Sequence, residues 1–176
     1  MIYKIVLDSY DTSSFTGTQF NATYYIDFNK FITNQEDFNK PYKLNVSITS
    51  ISSYTIESEL TPTNNLFYYS VDFSKQLTRT ATFSRTRKPI TGVLRFENNV
   101  ETYQSTVVGT DTGYITKQNI KVDDGPFFLN NLKNINNITF QVFKGSDNSI
   151  FTPADNTKSK YVVILTLEQV RNLKNI

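Results

Sequence analysis

The stretch Lys160-Tyr-Val-Val-Ile-Leu-Thr-Leu-Glu168 decides the fold of this chain, because it is a β-branched and apolar run without Gly or Pro. Alternation along a strand places Tyr161, Val163, Leu165 and Leu167 on one face, and Val162, Ile164 and Thr166 on the other. Both faces are mostly apolar. The pattern therefore predicts a strand that is buried on both faces of a sheet.

A second stretch, Asn137-Ile-Thr-Phe-Gln-Val-Phe143, alternates in a different way. Ile138, Phe140 and Val142 share one face, whereas polar residues occupy the other. This pattern predicts a strand with one buried face and one face in water.

The rest of the chain supplies partners for these two strands. Further strand patterns run over Ile2 to Leu7, Phe20 to Phe28, Tyr42 to Ile56, Leu66 to Phe73, Ile90 to Phe96, Val100 to Val108 and Tyr114 to Val122. With the first two, they make about nine strands separated by turn sequences, which is typical of an antiparallel β-sandwich or barrel. We therefore predict an all-β domain.

Several local features refine this prediction. The apolar phase changes within Tyr42 to Ile56, which predicts a β-bulge near Ser50 to Ser53. A weak helical pattern precedes Pro41, and Asn34 is its candidate N-cap. The sequence Asp123-Asp124-Gly125-Pro126 is predicted to be a turn. Phe127-Phe128-Leu129 then starts a core strand or forms an interface contact, and the pattern favours the core.

Composition excludes several classes of chemistry. The 176-residue chain has no Cys, no His and no Trp. Disulfides, thiolate nucleophiles and Ser-His or Cys-His catalytic pairs are therefore excluded. The net charge of +2 is too small to indicate nucleic-acid binding through bulk electrostatics.

Neither export nor membrane insertion is expected from the sequence. Met1 to Asp8 is too short and too charged for the apolar region of a signal peptide. No apolar run approaches the roughly 18–20 residues that span a bilayer. These patterns predict a soluble chain that is not exported.

Carboxylates are the remaining candidates for acid–base chemistry, and the close pairs are Asp8/Asp11, Glu57/Glu59 and Asp123/Asp124. All three pairs lie in or beside turn sequences, where Asp commonly has a structural role. No Asp-x-Asp-x-Asp spacing indicates a calcium loop, and no Gly-rich phosphate loop is present. We therefore expect no catalytic residue, no metal and no cofactor.

The most distinctive local feature is a basic segment with one aromatic residue, Phe83, among its charges. Its cations are Lys75, Arg79, Arg85, Arg87 and Lys88. Such a segment contacts a partner protein, binds phosphates of a nucleic acid, or protects an exposed strand edge or loop. These five residues are our candidate partner contact, and partner contact is favoured over nucleic acid.

Taken together, the strand patterns resemble those of the single jelly-roll penton and minor capsid proteins of icosahedral double-stranded DNA viruses, of the virophage, polinton-like and giant virus type. The similar stretches are Tyr3 to Ser9, Tyr42 to Ile51, Pro126 to Leu129, Asn137 to Phe143 and Tyr161 to Glu168. They contain no invariant motif, so no site residue is transferred.

The resemblance implies a single jelly roll of about eight to nine strands over residues 1–169, followed by a C-terminal tail or arm at 170–176. It also implies a structural role in the virion, synthesis in the host cytoplasm, and assembly through loops and termini with other capsid proteins and copies of itself. The residues alone leave a lectin-like or protein-binding β-sandwich as the alternative, because exposed Tyr and Asn can stack on and hydrogen-bond a sugar. An enzyme that uses carboxylates ranks last.

Overall fold

A computed structural model describes residues 1–56, 66–74, 76–77, 90–95, 113–118, 122–153 and 159–170. The described part of the chain contains eleven strands: β1 (Ile2–Asp8), β2 (Phe15–Thr18), β3 (Asn21–Tyr25), β4 (Tyr42–Ile56), β5 (Leu66–Phe73), β6 (Gln76–Leu77), β7 (Gly92–Arg95), β8 (Gly113–Gln118), β9 (Val122–Leu129), β10 (Asn137–Lys144) and β11 (Lys160–Gln169). Short 3₁₀ helices cover Phe28–Lys30, Gln35–Asn39 and Leu132–Asn134.

The strands form two antiparallel sheets. In the five-stranded sheet, called sheet A, the order is β1-β11-β4-β8, and β9 pairs with the first half of β4. In the six-stranded sheet, called sheet B, the order is β2-β3-β10-β5-β6, and β7 also pairs with β5. The predicted all-β antiparallel sandwich is therefore confirmed.

The order of pairing along the chain identifies the topology. β1 pairs with β11, β3 with β10, β4 with β9, and β5 with β7, so that each pair is nested inside the previous one. Taken in chain order, these eight strands alternate between sheet A and sheet B, except that β5 and β7 both lie in sheet B. Such winding of eight strands across two sheets is a single jelly roll.

Aromatic rings fill much of the space between the sheets. The ring of Phe140 on β10 lies 4.4 Å from that of Tyr161 on β11, and Phe67 lies 4.8 Å from Phe151. The hydroxyl groups of Tyr24 and Tyr161 are 2.9 Å apart, so the buried polar ends of these two side chains satisfy each other. The core therefore connects the sheets through tilted ring contacts and the buried hydrogen bond between Tyr24 and Tyr161.

One prediction about β11 is wrong. Tyr161, Val163, Leu165 and Leu167 are fully buried, as their phase predicted. On the opposite face, Val162, Ile164 and Thr166 are only partly buried. The strand is apolar on both faces, but the described part of the chain buries only one of them completely.

The strand β4 has the predicted bounds and changes phase close to the predicted position. Its inward residues Tyr42, Leu44, Val46 and Ile48 are buried, and Ile51 continues inward after the phase change. The register against β11 shifts between Ile48 and Ser50, which leaves Thr49 as the extra residue. The bulge thus lies one residue before the predicted range, Ser50 to Ser53.

The predicted turn at Asp123-Asp124-Gly125-Pro126 is wrong, because these residues lie inside β9. The register against β4 passes from Val46 paired with Asp124 to Leu44 paired with Phe127. Gly125 and Pro126 together face the single residue Asn45, which is a bulge. Gly125 has φ +129°, a conformation that suits glycine, and Pro126 gives no N–H to the ladder.

Two predicted strands have other bounds in the structure. Phe20 to Phe28 corresponds to β3 (Asn21–Tyr25), with Phe28 in a 3₁₀ helix, and Tyr114 to Val122 corresponds to β8 (Gly113–Gln118), with Val122 in β9. Asn34 caps the 3₁₀ helix Gln35–Asn39 by accepting a hydrogen bond from the backbone N–H of Glu36, as predicted. The predicted strand at 100–108 and the tail residues 171–176 lie outside the described residues.

Candidate functional site

The basic segment is the partner contact that the sequence predicts. Its five cations, Lys75, Arg79, Arg85, Arg87 and Lys88, all lie outside the described residues. The same holds for the carboxylate pair Glu57/Glu59. The partner contact proposed for the five cations therefore stays a prediction from sequence.

The pair Asp8/Asp11 has a structural role in the turn after β1. One carboxylate oxygen of Asp8 accepts a hydrogen bond from the backbone N–H of Tyr10 at 2.8 Å. In the same way, Asp11 accepts from the N–H of Ser13 at 3.1 Å. Both contacts are Asx turns, which is the turn chemistry that the sequence indicated.

The pair Asp123/Asp124 is separated by the alternation of β9. Asp123 is exposed on the outer face of sheet A, whereas Asp124 is half-buried between the sheets. There the hydroxyl of the buried Tyr69 on β5 donates a hydrogen bond to Oδ2 of Asp124. The contact ties β9 in sheet A to β5 in sheet B.

In this contact Tyr69 remains the hydrogen-bond donor and Asp124 the acceptor. Burial raises the pKa of Tyr69 well above its ordinary value, and the hydrogen bond to Asp124 raises the pKa further. Gly92 on β7 leaves space for the contact, because an added Cβ would lie 2.2 Å from Oδ2 of Asp124. Sequence analysis missed this contact because it assigned Asp124 to a turn instead of an inward strand position.

The described residues also contain no group of three or more Asp or Glu side chains close enough to hold one metal ion.

A second carboxylate, Asp37, connects the 3₁₀ helix Gln35–Asn39 to the end of β11. Its Oδ1 accepts hydrogen bonds from Lys40 Nζ at 2.6 Å and from Gln169 Nε2 at 2.9 Å. These contacts, the one from Lys40 above all, lower the pKa of Asp37 below its ordinary value of 3.8. In its ionised form, Asp37 therefore connects the 3₁₀ helix Gln35–Asn39 to β11 at one end of the sandwich.

We expect Asp37 to contribute to stability above pH 3.8 and to lose this contribution as the pH falls through its lower folded-state pKa. The variant Asp37→Asn should be less stable than the wild type at neutral pH, and the difference should shrink in acid. Urea unfolding across an acidic pH series measures both effects. Glu36→Gln, at the exposed neighbouring carboxylate, is the control, and an unchanged acid limb in Asp37→Asn would contradict the assignment.

The outer face of sheet A carries exposed apolar side chains. Val6 on β1 is 55% exposed and lies directly across from Ile164 on β11. Ile2 is 61% exposed at one end of the same face, and Phe128 on β9 is 46% exposed beside Lys43. Val6 and Ile164 adjoin each other, whereas Glu168 and Lys43 lie between Ile2 and Phe128. An exposed apolar group of this kind is a candidate protein contact surface.

Among the described strands, β1 lies at an edge of sheet A. The backbone groups of Met1 and Ser9 bond to β11, which directs those of Ile2, Lys4 and Val6 away from the sheet. Lys4 places a charge in the middle of this edge, a feature that discourages pairing between edges. The apolar face is therefore a better contact candidate than the edge.

The outer face of sheet B has a different character. On β2, β3 and β10 its outward positions are occupied by uncharged hydroxyl, amide and tyrosine side chains, namely Thr16, Thr18, Asn21, Thr23, Tyr25, Asn137, Thr139 and Gln141. We call this set the polar grid. On β2, β3 and β10 the outer face of sheet B is thus polar and uncharged, whereas the outer face of sheet A combines exposed apolar side chains with charges such as Lys4 and Asp123.

Comparison with known proteins adds no assignment, because neither a protein-family model nor a curated protein matches the chain. Among the described residues, no helix has the length and apolar character needed to cross a membrane.

Proposed function

We propose that this chain is a structural capsid protein, a penton or minor capsid subunit of an icosahedral double-stranded DNA virus. It resides in the virion and contacts copies of itself and other capsid proteins through its loops and termini. The jelly-roll winding supports this proposal, since that fold is frequent among capsid subunits. Because one fold serves many functions, the proposal also needs support from a surface.

The observation that carries the proposal is the two-sided apolar character of β11. A strand in a sheet with one wet face normally alternates apolar and polar residues. β11 instead places Val162 and Ile164 on the face where β1 places Val6 and Ile2. Apolar groups in these positions gain stability when a neighbouring subunit covers them.

The geometry of this face suits a subunit contact. It extends across the neighbouring strands β1, β11, β4 and β9. Val6, Ile164 and Val162 form one apolar cluster beside the β1 edge. Polar or charged side chains of the same face border it, namely Lys4, Thr166, Ser47 and, beyond Ser47, Asp123. That arrangement is the usual anatomy of a protein interface.

The test is the mass of the purified protein in solution, measured by light scattering over a range of concentration and salt. We expect a stable trimer or pentamer, because a subunit contact of roughly 1,200–2,000 Å² supports stable association. Addition of other capsid proteins from the same virus should then give larger assemblies visible by electron microscopy. A monomer at every concentration that is also absent from purified particles would contradict the proposal.

A further inference from the structure

The polar grid on the outer face of sheet B is depleted of charge. Typical soluble domains contain about 25% charged residues. In this chain 19% of all residues are charged, yet none of the eight grid residues is. The next strand, β5, brings the first charged group of this face, Asp72, directly across from Thr139.

Hydrogen bonds between strands hold the grid side chains in place. Gln141 Nε2 donates to Asn21 Oδ1 at 2.8 Å, and the hydroxyl oxygens of Thr23 and Thr139 are 3.2 Å apart. Both contacts join residues that lie directly across from each other on β3 and β10. The side chains are therefore ordered before any ligand arrives, which lowers the entropic cost of binding.

These groups retain capacity for further hydrogen bonds. Each amide offers two N–H donors and a carbonyl oxygen with two lone pairs, and each threonine hydroxyl both donates and accepts. One contact per side chain, as between Gln141 and Asn21, uses only part of that capacity. The grid thus presents hydrogen-bond donors and acceptors on neighbouring strands that lie about 4.8 Å apart.

One member of the grid, Tyr25, is an exposed aromatic ring. Tyr25 is 73% exposed and lies across from Asn137 at the end of β3. The amide of Asn137 donates to Oδ1 of Asn136 at 2.9 Å, so an ordered amide pair stands beside the ring. A flat apolar ring beside amides and hydroxyls matches a sugar, which has C–H faces and a rim of hydroxyl groups.

From this arrangement we propose that the polar grid with Tyr25 binds a neutral carbohydrate. A protein partner fits the grid less well, because interface centres are rich in apolar residues and arginine. Acidic glycans fit less well because the grid residues carry no cation. The inference does not depend on the capsid proposal, since it concerns the opposite face of the sandwich.

The experiment is a binding screen of the full chain against immobilised oligosaccharides that include neutral, sialylated and sulfated members, followed by calorimetric titration of the strongest neutral one. We expect saturable binding to a neutral oligosaccharide with little dependence on salt. Tyr25→Ala should weaken it roughly tenfold or more through loss of ring stacking. Gln141→Ala should weaken it as well.

Tyr10→Ala is the matched control, because Tyr10 is 63% exposed but belongs to the turn after β1 and not to the grid. This variant should bind as the wild type does. The inference is overturned if no neutral oligosaccharide binds, if only acidic glycans bind and salt abolishes their binding, or if Tyr10→Ala and Tyr25→Ala weaken binding equally. A change in oligomeric mass on Tyr25→Ala, without a change in sugar binding, would assign the face to a protein partner instead.

Discussion

Replacing Phe140 with alanine is expected to lower the free energy of unfolding by about 3–5 kcal/mol. Phe140 is fully buried on β10, and its ring lies 4.4 Å from that of Tyr161 and 6.2 Å from that of Tyr69. Truncation leaves a cavity between the two sheets, and rings on both of its sides lose contacts. Urea unfolding with linear extrapolation measures the change.

The neighbouring position on the same strand provides the control. Thr139→Val places an equally branched side chain on the outer face and removes only the contact with the hydroxyl of Thr23. We expect it to change the free energy of unfolding by no more than about 1 kcal/mol. Equal losses in the two variants would mean that the inward and outward faces of β10 are assigned wrongly.

Strand positions and inward faces were predictable because they depend on local alternation. Ile138, Phe140 and Val142 alternate with polar residues, and this period of two decides which of them are buried. β4 was found with its full length for the same reason, and a bulge shifts its phase only once. Strand positions and inward faces can therefore be predicted without knowing which strands pair with each other.

The error at Asp123 to Pro126 shows where local analysis fails. Gly125 and Pro126 are typical turn residues, so the sequence by itself favours a turn. In the fold, β9 pairs with β4 on both sides of the bulge, through Asp124 with Val46 and through Phe127 with Leu44. This pairing keeps β9 extended. Pairing between strands that are distant in sequence overrides the local preference.

The same limit applies to the contact between Tyr69 and Asp124. The two residues belong to strands in different sheets, and only the nested pairing of the jelly roll brings them together. An acidic residue two positions before Pro126 gives no local sign that it faces inward. The polar grid is different, because the polar alternation of β10 was visible in the sequence. Only the pairing that places β3 and β2 beside β10 was not.

The two-sided apolar character of β11 was noticed in the sequence, but its meaning was misassigned. An apolar outer face predicted burial within the chain, whereas the described residues leave Val162 and Ile164 partly exposed. An apolar side chain is stabilised whenever other atoms cover it and exclude water, whether they belong to the same chain or to another. In the proposed assembly that cover is a neighbouring subunit.

Assembly should therefore fail when a charge is placed in the middle of this face. Val6→Asp puts a carboxylate directly across from Ile164, and a neighbouring subunit would have to bury it without a partner. An unpaired buried charge costs about 3–5 kcal/mol, which corresponds to more than a hundredfold loss of affinity. Light scattering should show a monomer at concentrations where the wild type is assembled.

The matched control is Val93→Asp, because Val93 is an exposed strand valine on β7 in sheet B. Val93 is 46% exposed and Val6 is 55% exposed, so both variants should keep the stability of the folded chain within about 1 kcal/mol. Val93→Asp should assemble as the wild type does. If both variants assemble normally, sheet A is not the contact surface; if both fail, the charge acts through folding or net charge and not through the face.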